Sequence, residues 1–152
     1  MRYIPNENDK HIKLILDQAI LDKYTKYYFL QHPRAKKVPI EKPRHPSINQ
    51  WCILPRPQMN ALKQKWKDLS IFLIKYNKLD NMMLDDLDVV CTTYMDTLRR
   101  TDTDAYTPKF IYDGWTEAGF IVDDDYKHLH STLLLVDYDK NNSRTEFDIY
   151  YR

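Results

Sequence analysis

Aspartates in two groups are the residues of this chain best suited to carry chemistry. Asp102 and Asp104 stand two positions apart, and Asp123, Asp124 and Asp125 follow further along the chain. In an extended chain, residues two apart place their side chains on one face, with Cα atoms roughly 6.5 to 7 Å apart. Such carboxylates suit a divalent cation, because Mg²⁺ prefers oxygen ligands and keeps several of its waters. The sequence therefore predicts a divalent-metal site.

Lys109 lies between the two aspartate groups, beside the expected start of a helix. Hydrolysis of a phosphodiester needs a metal-activated water and positive charge on the developing transition state. A lysine at the positive end of a helix could orient that water or stabilise that charge. Each aspartate group taken alone is also typical of a solvated turn, so the interpretation depends on their combination with Lys109. The chain has no Gly-rich phosphate loop and no Ser, His and Asp grouping at a supporting spacing.

The charges are divided between two parts of the chain, although the net charge is only +1. Residues 34–67 hold nine Lys or Arg against the single acid Glu41, whereas residues 80–125 hold twelve acids against three basic residues. A basic region can hold a polyanion and an acidic region can hold cations. The alternative is that the two regions neutralise each other across the surface.

A short helix must position the two aspartate groups. Thr107 followed by Pro108 predicts its start, with a hydroxyl N-cap and a proline at the first helical position. Gly119 is expected to end it in the left-handed conformation. Gly114 falls in the helix interior, where glycine costs about 1 kcal/mol relative to alanine, and it predicts the close approach of another backbone. The predicted buried face consists of Phe110, Ile111, Trp115 and Ala118.

The other elements are predicted from hydrophobic spacing. A helix is expected from Asn6 or Asn8 through Ile20, and residues 31–57, with six prolines, are expected to be extended. Further predictions are a helix over 59–77, a strand over 86–98, and strands over 129–137 and 144–151 that form a C-terminal hairpin. The fold class is predicted as α+β, a small, mostly antiparallel sheet with flanking helices and an N-terminal helical extension. We expect an N-terminal helix and basic Pro-rich arm over 1–45, followed by the main domain over 46–152.

The composition is that of a soluble globular protein, with 43% hydrophobic and 30% charged residues. No apolar run approaches the roughly 18 residues of a membrane span, and the charged N-terminus is not typical of a signal peptide. Cys52 and Cys91 lack metal-ligand spacing. We therefore expect two reduced thiols, no membrane association and a cytoplasmic location.

The residues from Asp102 to Asp124 resemble the signature of RusA-type Holliday junction resolvases, the crossover-junction endodeoxyribonucleases of phages and prophages. The segments that carry the resemblance are Asp102-Thr-Asp104, Lys109-x-x-x-Asp113-Gly114 and Ala118-Gly119-Phe-Ile-Val-Asp123-Asp124. The order of elements is similar over residues 49 to 152, which makes 46–152 the RusA-like nuclease domain. Ala105 stands where family members commonly have Asn, and Lys109 lies one residue further on than in the usual spacing.

The resemblance implies a function and a set of site residues. Asp102, Asp104 and Asp124 would bind Mg²⁺, or Mn²⁺ as a substitute, with Asp123 also in the metal set, Asp113 in support and Lys109 as the catalytic lysine. A homodimer would nick the two equivalent strands of a four-way DNA junction, in the cytoplasm of the host cell if a phage encodes the chain. The DNA phosphates would be contacted by eight basic residues, namely Lys36, Lys37, Lys42, Arg44, Lys63, Lys67, Arg99 and Arg100.

Two alternatives to a nuclease stay open. The chain could be a branched-DNA-binding protein of the same fold whose catalytic site has decayed, with Ala105 as the sign of that decay. It could instead be an unrelated phage accessory protein that binds another protein through a tyrosine-rich surface, since the chain contains twelve tyrosines.

Overall fold

The structure is a computed structural model, and it describes residues 5–152. The prediction of an α+β fold is confirmed, because helices flank a four-stranded, mostly antiparallel mixed sheet. The elements in chain order are β1 Lys10–Leu16, α1 Gln18–Gln31, α2 Ile48–Trp51, α3 Arg56–Tyr76, β2 Leu87–Met95, α4 Lys109–Glu117, β3 Leu129–Tyr138 and β4 Arg144–Tyr151.

The sheet has the strand order β1-β4-β2-β3, with β2 buried along nearly its whole length. β4 pairs antiparallel with both β1 and β2, and β3 pairs parallel with β2. The predicted C-terminal hairpin is therefore wrong, because β2 lies between β3 and β4. Parallel strands need a crossover connection, and α4 supplies it between β2 and β3. This crossover places the two aspartate groups before and after α4.

The N-terminal segment is a strand where the sequence predicted a helix. In β1 the alternating residues Ile12, Leu14 and Leu16 face the core, and Leu14 lies opposite Phe147 of β4. The helix α1 begins only after Asp17, whose carboxylate accepts a hydrogen bond from the Ile20 N–H at 3.0 Å. The apolar residues of this segment fit a period of two as well as a helical period, and pairing with β4 decides between them. Part of the expected N-terminal extension thus belongs to the sheet.

Helices α3 and α4 pack closely against each other at Gly114. A Cβ atom at this position would lie 2.6 Å from Ser70 Oγ and 2.8 Å from the Lys67 carbonyl oxygen, and nearer still to Ser70 Cβ. The buried Ser70 hydroxyl donates a hydrogen bond to the Ile111 carbonyl at 2.7 Å. The prediction that Gly114 marks a close backbone approach is confirmed.

The core lies between the sheet and the helices α1, α3 and α4. Its largest fully buried side chains include Trp115 of α4, Phe120 after it and Phe147 of β4. The rings of Phe120 and Phe147 each contact the Trp115 ring edge to face. None of the helices in residues 5–152 combines the length and the apolar composition that a membrane crossing requires. Cys52 is exposed and Cys91 is buried, and both are free thiols.

Candidate functional site

The turn that carries Asp102 and Asp104 precedes α4. The Ala105 N–H donates a hydrogen bond to the Asp102 carbonyl at 3.2 Å, so residues 102–105 form a turn instead of the extended segment expected from the sequence. Ala105 is buried, and its carbonyl accepts a hydrogen bond from the Ile48 N–H at 2.8 Å. Both aspartate side chains are exposed. The turn is therefore anchored by its alanine, and its carboxylates face solvent.

His45 caps the N-terminus of α4, a role that the sequence analysis missed. The imidazole Nε2 accepts a hydrogen bond from the Phe110 N–H at 3.1 Å, and Nδ1 donates to the Pro46 carbonyl at 2.8 Å. These partners require the neutral ring, and burial lowers the pKa of His45 to about 4. The predicted Thr107 hydroxyl cap is wrong, since Pro108 is the N-cap residue of α4 and makes no side-chain hydrogen bond to it. No local sequence pattern marks His45, because its partner lies 65 positions away.

The C-terminal end of α4 follows the prediction. Ala118 closes the helix, and Gly119 adopts φ +75°, the left-handed conformation expected after a helix. The chain then crosses to Ile121, which forms a parallel bridge with Leu84. This short connection carries Asp123 and Asp124 to the flank of α4.

An acidic cleft of about 370 Å³ lies between α3, α4 and the residues after α4. Its acidic side chains are Asp113 and Glu117 of α4 together with Asp123 and Asp124. Asp113 Oδ2 is buried and has no hydrogen-bond partner among the described residues, and the nearest cation is Lys63 Nζ at 3.7 Å. We call this cavity, with the residues that line it, the acidic cleft.

The acidic cleft has an excess of negative charge. Burial raises the pKa of Asp124, and a hydrogen bond with Asp123 and the negative charge of Asp113 raise this pKa further. Two lysines of α3 offset part of that charge, since Lys67 Nζ lies 2.5 Å from Glu117 Oε2 and Lys63 approaches Asp113. Four carboxylates against two ammonium groups leave the cleft anionic.

The ligands that the resemblance implies for Mg²⁺ are not gathered at one point. Asp102 and Asp104 are exposed before α4, whereas Asp123 and Asp124 lie in the acidic cleft. Within residues 5–152 no group of three or more His, Cys, Asp or Glu side chains is arranged to hold a metal ion. The oxygen donors are of the type that Mg²⁺ prefers, but these residues as described do not form a complete site. The assignment of Asp102, Asp104, Asp123 and Asp124 as metal ligands stays a prediction.

The predicted DNA-binding residues fall into two groups. Lys36, Lys37, Lys42, Arg99 and Arg100 are exposed and form no ion pair with another described residue. Lys63 and Lys67 instead face the acidic cleft, and Arg44 Nη2 lies 4.0 Å from Asp96 Oδ1. The first group is available to an external anion, whereas Lys63 and Lys67 are already paired with carboxylates of the acidic cleft.

A basic cavity of about 430 Å³ adjoins the aspartate turn. Lys42, Arg44 and Lys65 line it together with one acid, Glu41, so its lining has a net positive charge. Tyr106, the residue after the anchored Ala105, lines it as well. The Thr145 hydroxyl donates to the Pro43 carbonyl at 2.9 Å, which fixes the same segment to β4. The Pro-rich segment 31–57 is thus packed against α4 and the sheet. Lys65 lies in this cavity beside Lys42 and Arg44, which the sequence predicted to bind DNA.

Comparison of the chain with protein-family models and with curated proteins gave no match. The resemblance therefore depends on the residues from Asp102 to Asp124 alone.

Replacing Asp124 with asparagine is expected to stabilise the fold slightly at neutral pH. Because the folded state raises the pKa of Asp124, ionisation of this carboxyl disfavours the fold once the pH exceeds its unfolded pKa. The gain should stay below about 0.5 kcal/mol, since solvent screens a partly exposed group. Urea unfolding of wild type and Asp124→Asn at pH 7 and at pH 3 measures it, and a stabilisation that persists at the lower pH would contradict this origin.

Proposed function

We propose that this chain is a Mg²⁺-dependent endodeoxyribonuclease that cleaves four-way junctions and related branched DNA. The observation that carries the proposal is the contact between the aspartate turn, residues 102–105, and the Pro-rich segment 31–57, which carries basic residues. Ala105 is hydrogen-bonded to Ile48, and Tyr106 lines the basic cavity with Lys42, Arg44 and Lys65. Carboxylates alone repel a phosphodiester, so a nuclease must bring cations next to them.

The arrangement of α4 supports the same proposal. Lys109 is the first residue of α4, beside the aspartate turn, and the acidic cleft follows along the helix. A fixed helix N-terminus adds positive potential near that lysine. Mg²⁺ or Mn²⁺ is the cofactor the proposal requires, and Asp102, Asp104, Asp123 and Asp124 would have to come together to supply its oxygen donors. A homodimer would present two such sites to the two strands of a junction.

A synthetic four-way junction incubated with and without Mg²⁺ tests the proposal. We expect wild type to nick the junction only with the metal, and Asp104→Asn to lower the rate on the order of 100-fold, because a metal-binding carboxylate is lost. Asp85→Asn is the matched control, since it removes the same charge from an exposed residue outside the motif. Absence of nicking by wild type with either Mg²⁺ or Mn²⁺, or equal rates for Asp104→Asn and wild type, would refute the nuclease.

One observation favours the second candidate, a branched-DNA-binding protein without catalysis. Asp102 and Asp104 are exposed and do not join Asp124 in a metal-holding group among the described residues. This candidate predicts junction binding that weakens steeply with salt, because phosphate contacts release counterions. It also predicts that Asp104→Asn leaves the affinity for the junction unchanged and that no divalent ion induces nicking.

A further inference from the structure

An aromatic groove of about 500 Å³ runs between α1 and α3, on a surface that the proposed function does not use. Six aromatic rings line it, those of Tyr24, Tyr27, Tyr28, Phe72 and Tyr76 and the imidazole of His32. Its volume falls within the range of sites that hold small organic molecules. We name it the aromatic groove.

The rings of the aromatic groove pack against one another, and two of them are well exposed. Phe72 contacts Tyr27 with ring centroids 5.3 Å apart and stacks on Tyr76 at 5.9 Å with an interplanar angle of 23°. Tyr28 stacks on His32 at 4.3 Å, also at 23°. Tyr27 and Tyr76 nevertheless stay 47% and 45% exposed. Tyr27, and the part of the Tyr76 ring that Phe72 and the Lys23 ammonium leave uncovered, are therefore held in place and open to a flat ligand.

We propose that the aromatic groove binds unpaired nucleobases of single-stranded nucleic acid. Stacking of a base on an aromatic side chain contributes about 1–3 kcal/mol and tolerates any base, because every base has a π-face. Gln31 and Lys75 also line the groove, and they can donate hydrogen bonds to the edges of a stacked base. Bases inside a duplex are covered by their neighbours, so the occupant must be single-stranded.

The ammonium groups around the groove favour an anionic occupant. The Lys23 ammonium donates to the Tyr76 hydroxyl at 2.5 Å and lies 4.8 Å from the centroid of that ring. Among residues 5–152, Asp68 is the one acid that lines the groove, and its carboxylate accepts a hydrogen bond from Gln64 Nε2 at 2.8 Å. A strand whose bases stack in the groove therefore finds ammonium groups at its rim for the phosphates.

The chain continues from the groove directly into basic sequence. His32 lines the groove, and the exposed residues Arg34, Lys36 and Lys37 follow it within a few positions. None of these three forms an ion pair in the part of the chain that the structure describes. A neutral proline-rich peptide could also lie in an aromatic-lined groove, but it would make no use of these cations.

Fluorescence anisotropy with labelled oligo-dT at low salt tests the proposal. The double variant Tyr27→Ala/Tyr76→Ala is expected to weaken binding of oligo-dT by about 10-fold or more, because two stacking surfaces are lost. An abasic oligonucleotide of the same length, which keeps the phosphates, should bind this variant and wild type equally. Tyr126→Ala is the matched control, since that tyrosine is 77% exposed and lies outside the groove.

Three results would overturn the proposal. They are an equal loss of affinity for both oligonucleotides, unchanged binding of oligo-dT by the double variant, and tighter binding of a polyproline peptide than of oligo-dT. Thermal unfolding of each variant establishes that the fold is intact before binding is compared. A protein that binds oligo-dT through these tyrosines but leaves junctions uncut refutes the nuclease and leaves this site standing. A protein that cuts junctions but binds oligo-dT equally well without these tyrosines refutes the nucleobase site and leaves the nuclease standing.

Discussion

Gly114→Ala is expected to lower the free energy of unfolding by about 3 kcal/mol, because the new methyl group has no room between α3 and α4. Its Cβ would lie 2.8 Å from the Lys67 carbonyl oxygen, and the backbone of α3 cannot move aside as a flexible side chain would. Alanine has the higher helix propensity, but that gain of about 1 kcal/mol is smaller than the cost of separating the helices. Urea unfolding at neutral pH measures the difference.

Thr116→Ala is the control for this prediction, since it creates the same residue two positions further along α4. Thr116 is only partly buried, and its hydroxyl donates to the Tyr112 carbonyl within the helix. Its replacement should cost no more than about 1 kcal/mol. Adding Ser70→Gly to Gly114→Ala should recover part of the loss, because Ser70 supplies two of the three nearest atoms. A Gly114→Ala protein as stable as wild type would show that the two helices are not packed this closely.

Acidification is expected to destabilise wild type more than a His45→Gln variant. The folded state holds His45 neutral and lowers its pKa to about 4, whereas the unfolded imidazole titrates near its ordinary value of 6.5. Between these two values the unfolded chain binds more protons than the folded chain, so stability falls as the pH falls. A difference of about 2.5 pKa units corresponds to about 3 kcal/mol of folding free energy. This stabilisation is fully present above the pKa of the unfolded imidazole, and it is lost as the pH falls toward 4.

Urea unfolding of both proteins at several pH values between 7 and 4 measures this effect. The glutamine amide oxygen can accept the hydrogen bond from the Phe110 N–H without titrating, so His45→Gln should lack this part of the pH dependence. The titration of the carboxylates contributes equally to the pH dependence of both proteins, so it cancels when the two profiles are compared. Identical pH profiles would mean that His45 does not cap α4 in its neutral form.

The sequence by itself determined the elements whose signals are local. The apolar repeat from Met59 to Leu73 predicted α3, and the alternation after Asp86 predicted β2. Gly119 marked the end of α4 because only glycine readily adopts the left-handed conformation there. Gly114 indicated a close approach because glycine destabilises a helix interior, so its presence there suggests that a larger residue would not fit. Each of these signals depends on residues close together in the sequence. The α+β class was predicted from the order of the helices and strands along the chain.

The tertiary structure alone decided the pairings and the composition of the sites. Residues 10–16 form a strand because β4 is there to pair with it, and β2 separates the two strands expected to form a hairpin. His45 reaches α4 across 65 positions of sequence. The carboxylates divide between an exposed turn and the acidic cleft because buried Ala105 fixes that turn to Ile48. Contacts between residues far apart in the chain leave no periodic pattern in it, so the sequence predicts which residues carry chemistry and the fold determines which of them meet.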